Sequence, residues 1–187
     1  MRKIILCMHT SLDGFVGGPN GEMDWIKISA EIFERAKALT DEADTALYGR
    51  VTYNMMESYW PDAGKKPKAS KHDIEHSEWY NKVEKIVISK TLESNNANTR
   101  IISENIIEEI KALKQRSGKN ILIFGSPSLS HLLMSNDLID EYWIMQNPIL
   151  LGKGIPMFSD IKDRVKLILS DTKKHDSGVM ELHYSRQ

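Results

Sequence analysis

Four short runs of mostly apolar residues, Lys3 to Met8, Ala43 to Tyr48, Lys85 to Ser89 and Asn120 to Phe124, divide the first two thirds of the chain. Their apolarity is nearly continuous rather than alternating, the pattern of strands covered on both faces. Between them lie segments of helical character, Ala30 to Thr40, Val51 to Tyr59 and Asn105 to Gln115; in the last, Ile106, Ile107, Ile110 and Leu113 recur at helical spacing. Strands that alternate with helices need crossover connections, and crossovers make a parallel sheet. The last third changes character: Ile139 to Gln146, Val165 to Asp171 and Val179 to Tyr184 read as strands separated only by loops, which predicts an antiparallel addition to the parallel core. The pattern as a whole predicts a three-layer α/β fold with a mixed, mostly parallel sheet. The Lys- and Pro-rich stretch Gly64 to Lys71 reads as a surface loop inside one domain spanning residues 1–187.

Composition narrows the choice of partner. With 25 basic and 26 acidic side chains and a net charge of −1, no long-range field draws nucleic acid or an anionic bilayer, so any phosphate must be held locally. Cys7 is the one cysteine, which excludes an intrachain disulfide and fits a reducing cytoplasm. The apolar run at the amino terminus ends at His9-Thr10, too short for a signal peptide or a membrane span. The expectation is a cytoplasmic protein acting on a small molecule.

Three turns are candidates for chemistry. The loop from Thr10 to Trp25 contains Ser11, Asp13, Gly14, Gly17, Gly18, Pro19 and Gly21 at the carboxyl end of the first strand; it reads either as a ligand cover or as a simple hairpin at Asn20-Gly21. Gly49-Arg50-Val51-Thr52 sits where a strand gives way to a helix. Glycine permits close approach of an anion, the helix N-terminus offers unpaired N–H groups, and arginine can fork onto phosphate, although a plain surface turn explains the same residues. Gly125-Ser126-Pro127-Ser128-Leu129 is a second strand-to-helix turn, with Ser126 suited to cap the helix and Pro127 to its first position. Two further patterns carry less. His72-Asp73-Ile74-Glu75-His76 has the spacing of a zinc protease motif, but it stands in a lysine-rich, poorly periodic segment without an evident third ligand, so no metal is expected. Gly152-Lys153-Gly154 lacks the frame of a P-loop and reads as a glycine-rich turn near the ligand.

The order of these features, Ser11-Leu12-Asp13-Gly14-Phe15-Val16, Gly49-Arg50-Val51-Thr52, Val87-Ile88-Ser89-Lys90, Ile123 to Leu129 and Pro148 to Phe158, resembles the dihydrofolate reductase superfamily, and within it the RibD C-terminal branch. The resemblance implies that NADPH lies across the carboxyl ends of the strands. By position it assigns Gly49, Arg50 and Thr52 to the phosphates, Ser89 and Lys90 to the adenosine end, and Gly125, Ser126, Ser128 and Leu129 to the pyrophosphate. It places the nicotinamide near the first loop, with Ser11, Asp13, Gly14 and Trp25 around the substrate and Asp13 and Glu31 as the acids at hand. Two departures stand out. Ser126 replaces the second glycine of a usual Gly-Gly pair, and Glu31 meets the pterin-binding carboxylate only with a one-residue shift. The resemblance further implies reduction of a small heterocycle, as in 5-amino-6-(5-phosphoribosylamino)uracil reduction in riboflavin biosynthesis or in folate reduction, and a homodimer; a non-catalytic nucleotide-binding protein of the same fold is the alternative. The apolar run Tyr142-Trp143-Ile144-Met145 is the expected source of dimer surface.

Overall fold

The computed structural model describes residues 1–94 and 96–187. In chain order its elements are β1 (Ile4–Ser11), β2 (Phe15–Gly17), α1 (Ala30–Asp41), β3 (Ala43–Gly49), α2 (Arg50–Ala63), α3 (Lys71–Lys82), β4 (Glu84–Ile88), β5 (Thr99–Ile102), α4 (Ile106–Gln115), β6 (Asn120–Phe124), α5 (Pro127–Met134), β7 (Glu141–Asn147), β8 (Ile155–Pro156), β9 (Leu167–Lys174) and β10 (Met180–Arg186). They gather into two compact units, one of Met1–Arg2 with Ala30–Leu122, the other of Lys3–Ser29 with Ile123–Gln187.

In the first unit the strands run in the order β5-β4-β3-β6 and every pairing is parallel. Ala46, Leu47, Ile86, Val87, Ile121 and Leu122 are buried along them, as continuous apolar runs require. Ile110 and Leu113, three residues apart on α4, supply part of the same core. The buried Arg2 guanidinium bonds the Lys119 carbonyl, the Thr45 hydroxyl and the Asp44 carboxylate, and so fastens the amino terminus to the start of β3.

A helix stands where the sequence gives no helical period. The segment after the Gly64 to Ser70 loop is helical, and α3 opens on a capping box in which Ser70 accepts from the Asp73 N–H while the Asp73 carboxylate accepts from the Ser70 N–H. Its buried face is made of His76, Ser77 and Tyr80 instead of aliphatic residues, so an apolar period of 3.6 does not reveal it. The two histidines of the zinc-like motif pack in an aromatic cluster. His72 stacks on Phe33 with ring centroids 3.8 Å apart, and His76 lies 4.0 Å from the Trp60 ring. Among the described residues no group of three or more His, Cys, Asp or Glu is placed to hold a metal ion.

The second unit combines both strand senses. β1 and β7 are parallel, β7 and β10 antiparallel, and β10 and β9 antiparallel, while β2 pairs with the two-residue β8. The run Tyr142 to Met145 is buried because β7 is an inner strand between β1 and β10, so it is not the exposed surface expected of it. Exposed apolar side chains occur instead on the terminal strand β9, where Leu167, Ile168 and Leu169 are 37%, 50% and 49% exposed. Among the described residues no helix is long and apolar enough to cross a membrane.

The capping box gives a direct check on α3. Ser70→Ala should lower unfolding stability by about 1 kcal/mol with an unchanged denaturant slope in urea titration; an unaltered midpoint would mean that the helix does not depend on its cap.

Candidate functional site

Parallel pairing brings the polar residues of the first unit together. Gly49 is in register with Ile88, so the chain leaves β3 for α2 at Arg50 at the same end of the pair where it leaves β4 for the Ser89-Lys90 turn. Gly49 takes the N-cap position with no side-chain hydrogen bond to the helix amides. Arg50 and Lys90 are exposed, and neither side chain enters a hydrogen bond or ion pair among the described residues. Ser89 is committed locally: its hydroxyl accepts from the N–H groups of Thr91 (3.2 Å) and Leu92 (3.0 Å) and so shapes the turn that carries Lys90. Thr52 is buried inside the first turn of α2. Beside Lys90 an open groove of about 580 Å³ is lined by Ser103, Glu104, Asn105 and Ile106 at the start of α4, where Asn105 adopts the left-handed conformation (φ 48°) and likewise leaves the helix amides uncapped by its side chain. Two cations and two uncapped helix starts make this an anion-receiving edge.

In the second unit the first loop is anchored through Asp13. Its carboxylate accepts from the Ser11 hydroxyl (2.6 Å), the Gly152 N–H (2.7 Å) and the Leu151 N–H (3.1 Å). The Ser11 hydroxyl bond, with the backbone bonds from Gly152 and Leu151, holds the Asp13 carboxyl below its ordinary range. An acid so held has no proton to give at neutral pH, and its geometry is that of a clamp between the first loop and the turn after Ile149. The clamp is reinforced by Leu12 N–H to the Ile149 carbonyl (2.8 Å) and Met157 N–H to the Gly14 carbonyl (2.8 Å). Gly14 itself has φ +85°, a conformation that a side chain would strain. The Asn20-Gly21 hairpin of the sequence reading is a tight turn, Gly21 N–H to the Gly18 carbonyl and Gly18 N–H to the Glu22 carbonyl, but the ladder partner of β2 is β8. Trp25 donates its indole N–H to the Glu22 carbonyl, and Glu31 is exposed in the first turn of α1.

The turn after β6 explains the Gly-Gly preference that Ser126 breaks. Gly125 (φ 65°) and Ser126 (φ 56°, ψ 56°) are both left-handed, so the second position costs a serine roughly 1–2 kcal/mol that glycine escapes. In that conformation the Ser126 side chain makes no capping bond to α5, contrary to the expected cap. Gly125 donates to the Cys7 carbonyl (3.3 Å), fixing the turn beside β1, while Ser128 is exposed and Leu129 buried.

A constellation absent from the sequence reading lies at the end of β1. Asn147 is fully buried; its Oδ1 accepts from the Lys27 N–H (2.9 Å), and its amide nitrogen is 3.0 Å from the Met145 carbonyl, 3.4 Å from the Thr10 carbonyl and 3.3 Å from His9 Nδ1. His9 is half-buried, and burial lowers its pKa to about 4. An apolar strand ending in histidine, with an asparagine after a second apolar strand, is too common a pattern to reveal this pairing.

The fold recurs in known proteins. The RibD C-terminal domain pattern matches residues 2–180. The chain belongs to the RibD C-terminal domain family. It is 34% identical over 188 residues to the uncharacterized protein YyaP of Bacillus subtilis (strain 168), covering 98% of this chain and 94% of YyaP. A putative riboflavin biosynthesis protein from Shewanella sp. PV-4 has the same fold, with a TM-score of 0.76 and 22% identity over 100% of this chain and 99% of that one. The diaminohydroxyphosphoribosylaminopyrimidine deaminase/5-amino-6-(5-phosphoribosylamino)uracil reductase from Thermotoga maritima aligns with a TM-score of 0.68 and 16% identity over 100% of this chain and 57% of that chain. The parallel strands with antiparallel C-terminal additions are thus the RibD C-terminal arrangement.

For this RibD C-terminal domain the clamp predicts a local opening. Asp13→Ala should speed hydrogen exchange at the Leu151 and Gly152 amides by roughly tenfold, the loss of one to two hydrogen bonds, with the β3–β4 amides unaffected. Because the folded carboxyl is held low, its contribution is present at neutral pH and is lost only as pH falls through that lowered value, so wild-type protection of the two amides should fade only below the ordinary carboxylate range. Equal exchange in variant and wild type would remove the clamp.

Proposed function

We propose that this chain is an NADPH-dependent reductase of a small heterocyclic substrate, of the pyrimidine-reductase kind named for the Thermotoga relative. The observation that carries the reading is the pair Arg50 and Lys90, two uncommitted cations at the carboxyl ends of adjacent, in-register parallel strands. A phosphate monoester on a ribose is the group such a pair suits, because a forked guanidinium and a compact ammonium meet a dianion from two sides. The residues fit a nucleotide phosphate in other respects: the α2 start lacks a side-chain cap, and the adjoining groove lies beside Lys90. When bound, NADPH would supply hydride for a C=N or C=O bond, and the protein would contribute alignment and exclusion of water. The substrate is a small molecule, with neither nucleic acid nor a membrane as partner, and the working place is the cytoplasm. The commitment of Asp13 to the loop clamp favours solvent as the source of any proton. It equally supports the second reading, a nucleotide-binding protein without turnover, which single-turnover oxidation of bound NADPH by candidate pyrimidines, pterins and flavins separates from the first.

Titration followed by quenching of the four tryptophans should give tighter binding of NADPH than of NADH. Arg50→Ala should weaken NADPH by about tenfold or more, the loss of a charge-assisted bond, with NADH affinity and melting temperature unchanged. Equal affinities for the two cofactors in the wild type would remove the role given to Arg50 and Lys90.

The reading includes a homodimer. β9 is a terminal strand whose Leu167, Ile168 and Leu169 are all exposed, and edges of that kind pair with a second copy unless charge or proline blocks them. Light scattering at micromolar concentration should give the mass of two chains for the wild type and of one for Ile168→Lys; a one-chain mass for the wild type would end the proposal.

A further inference from the structure

Parallel register fixes where β3 and β4 end, but it does not fix the direction in which α2 leaves its strand. The residue at the join is Gly49, which has no side chain with which to hold the first turn of the helix. That direction is set by what α2 lies on, and its neighbours include α3, β3 and β4. A helix with its side chains is about 5 Å in radius, so a turn of about 10° about its own axis moves a side-chain tip by about 1 Å. A shift of that size takes a guanidinium out of reach of a phosphate bond about 2.8 Å long.

Tyr80, fully buried in the last turn of α3, meets α2, β3 and β4 at once. Its hydroxyl donates to Glu57 Oε2 of α2 at 2.8 Å, and its backbone carbonyl accepts from Lys85 Nζ of β4 at 2.8 Å. The Lys85 ammonium also lies 4.5 Å from the centre of the Tyr80 ring, and the ring of Tyr48, the residue of β3 that precedes Gly49, is 6.5 Å from it. Glu57 follows Arg50 two turns along α2, and Lys85 lies on the strand that leads to Lys90. We propose that Tyr80 is a positioning residue of the phosphate site: tied to α2 through Glu57 and to β4 through Lys85, it sets the direction of the first turn of α2 and so holds the Arg50 guanidinium in step with Lys90. This rests on the reductase reading, in which the two cations share a phosphate monoester.

Tyr80 touches no ligand in this role and acts through Arg50. The charge beneath it supports the reading. Lys85 is 1% exposed, and burial lowers its pKa against the pull of Glu57. An apolar side chain of its size would hold the core at least as well, so stability alone does not explain an ammonium there. What the ammonium adds is a donor for a carbonyl that the end of α3 leaves without an intrahelical partner, which fixes α3 along β4. Burial, with the bond to Glu57, keeps the Tyr80 phenol well above its ordinary range, so it remains a donor at working pH. Other side-chain bonds between α2 and α3, from Tyr59 to Asp73 and from Asn81 and Ser77 to the Pro61 carbonyl, lie farther along the helix from Arg50.

The tie is tested first without ligand. Tyr80→Phe removes the hydroxyl alone and keeps both the ring and the carbonyl that Lys85 uses. Residual dipolar couplings of the α2 amides, taken against those of β3 and β4, should show α2 turned by roughly 5–10° in Tyr80→Phe and in Glu57→Leu. They should show it near its wild-type direction in Glu57→Gln, which keeps an acceptor; one direction of α2 in all four proteins overturns the proposal. With ligand, followed by tryptophan quenching, Tyr80→Phe and Glu57→Leu should each weaken NADPH by about fivefold and leave NADH unchanged, whereas a general loosening of the fold weakens both alike. In an Arg50→Ala background Tyr80→Phe should cost nothing further, because Arg50 is the group it acts through. Wild-type NADPH affinity in Tyr80→Phe, equal weakening of the two cofactors, or the full loss added to that of Arg50→Ala each overturns the proposal. A wild type that binds NADPH no tighter than NADH sinks the reductase reading instead, and the direction of α2 in the free protein still decides what Tyr80 holds.

Discussion

In a parallel pair, both strands deliver their carboxyl ends to the same edge, and what stands there is fixed by register. Here Gly49 opposite Ile88 brings Arg50 and the Ser89-Lys90 turn to that edge. Everything proposed about the cofactor depends on that alignment: a slip of one residue would turn alternate side chains to the opposite face and carry Arg50 out of step with Lys90. The register is held by the buried runs Ala46-Leu47 and Ile86-Val87, which cannot move without bringing apolar side chains into water. The charge pair is therefore positioned by the core, and neither cation is used up in holding the fold.

The second unit solves a different problem, that of holding a glycine-rich loop in one place. Asp13 supplies acceptors for two backbone N–H groups of a distant turn, and Asn147 satisfies the Lys27 N–H and the strand-end carbonyls around it. A buried carboxamide with each of its polar atoms engaged is costly to rearrange, since any other arrangement leaves a donor or acceptor unpaired.

How much of this was legible in the sequence follows from what each element buries. β1, β3, β4, β6 and β7 are aliphatic runs closed on both faces, and the sequence marks them within a few residues. The helix α3 escaped because His76, Ser77 and Tyr80 form its buried face, and β2, β5 and β8 escaped because two to four residues carry no period. Turn positions were legible where the chain needs glycine or a helix start, as at Gly49 and Gly125. Side-chain roles were less so. Asp13 is an acid in the loop expected to cover the substrate, yet its environment makes it an anchor; Ser126 suits a cap by its sequence position, yet its left-handed backbone turns it from the helix amides. The run Tyr142 to Met145 looked like interface because sequence does not say whether a strand is inner or terminal. The contact of His9 with Asn147 is not legible because 138 residues separate the two in the chain.

The place where the extra phosphate of NADPH is held decides the cofactor site. The ³¹P resonance of the 2′-phosphate in the saturated complex measures this directly, because a dianion clasped by a guanidinium and an ammonium titrates well below its free value. The expected result is a 2′-phosphate that stays dianionic through mildly acid pH in the wild type and returns to the free titration curve in the Arg50→Ala, Lys90→Ala double variant. A 2′-phosphate that titrates as in free NADPH while the wild-type protein is saturated would contradict it.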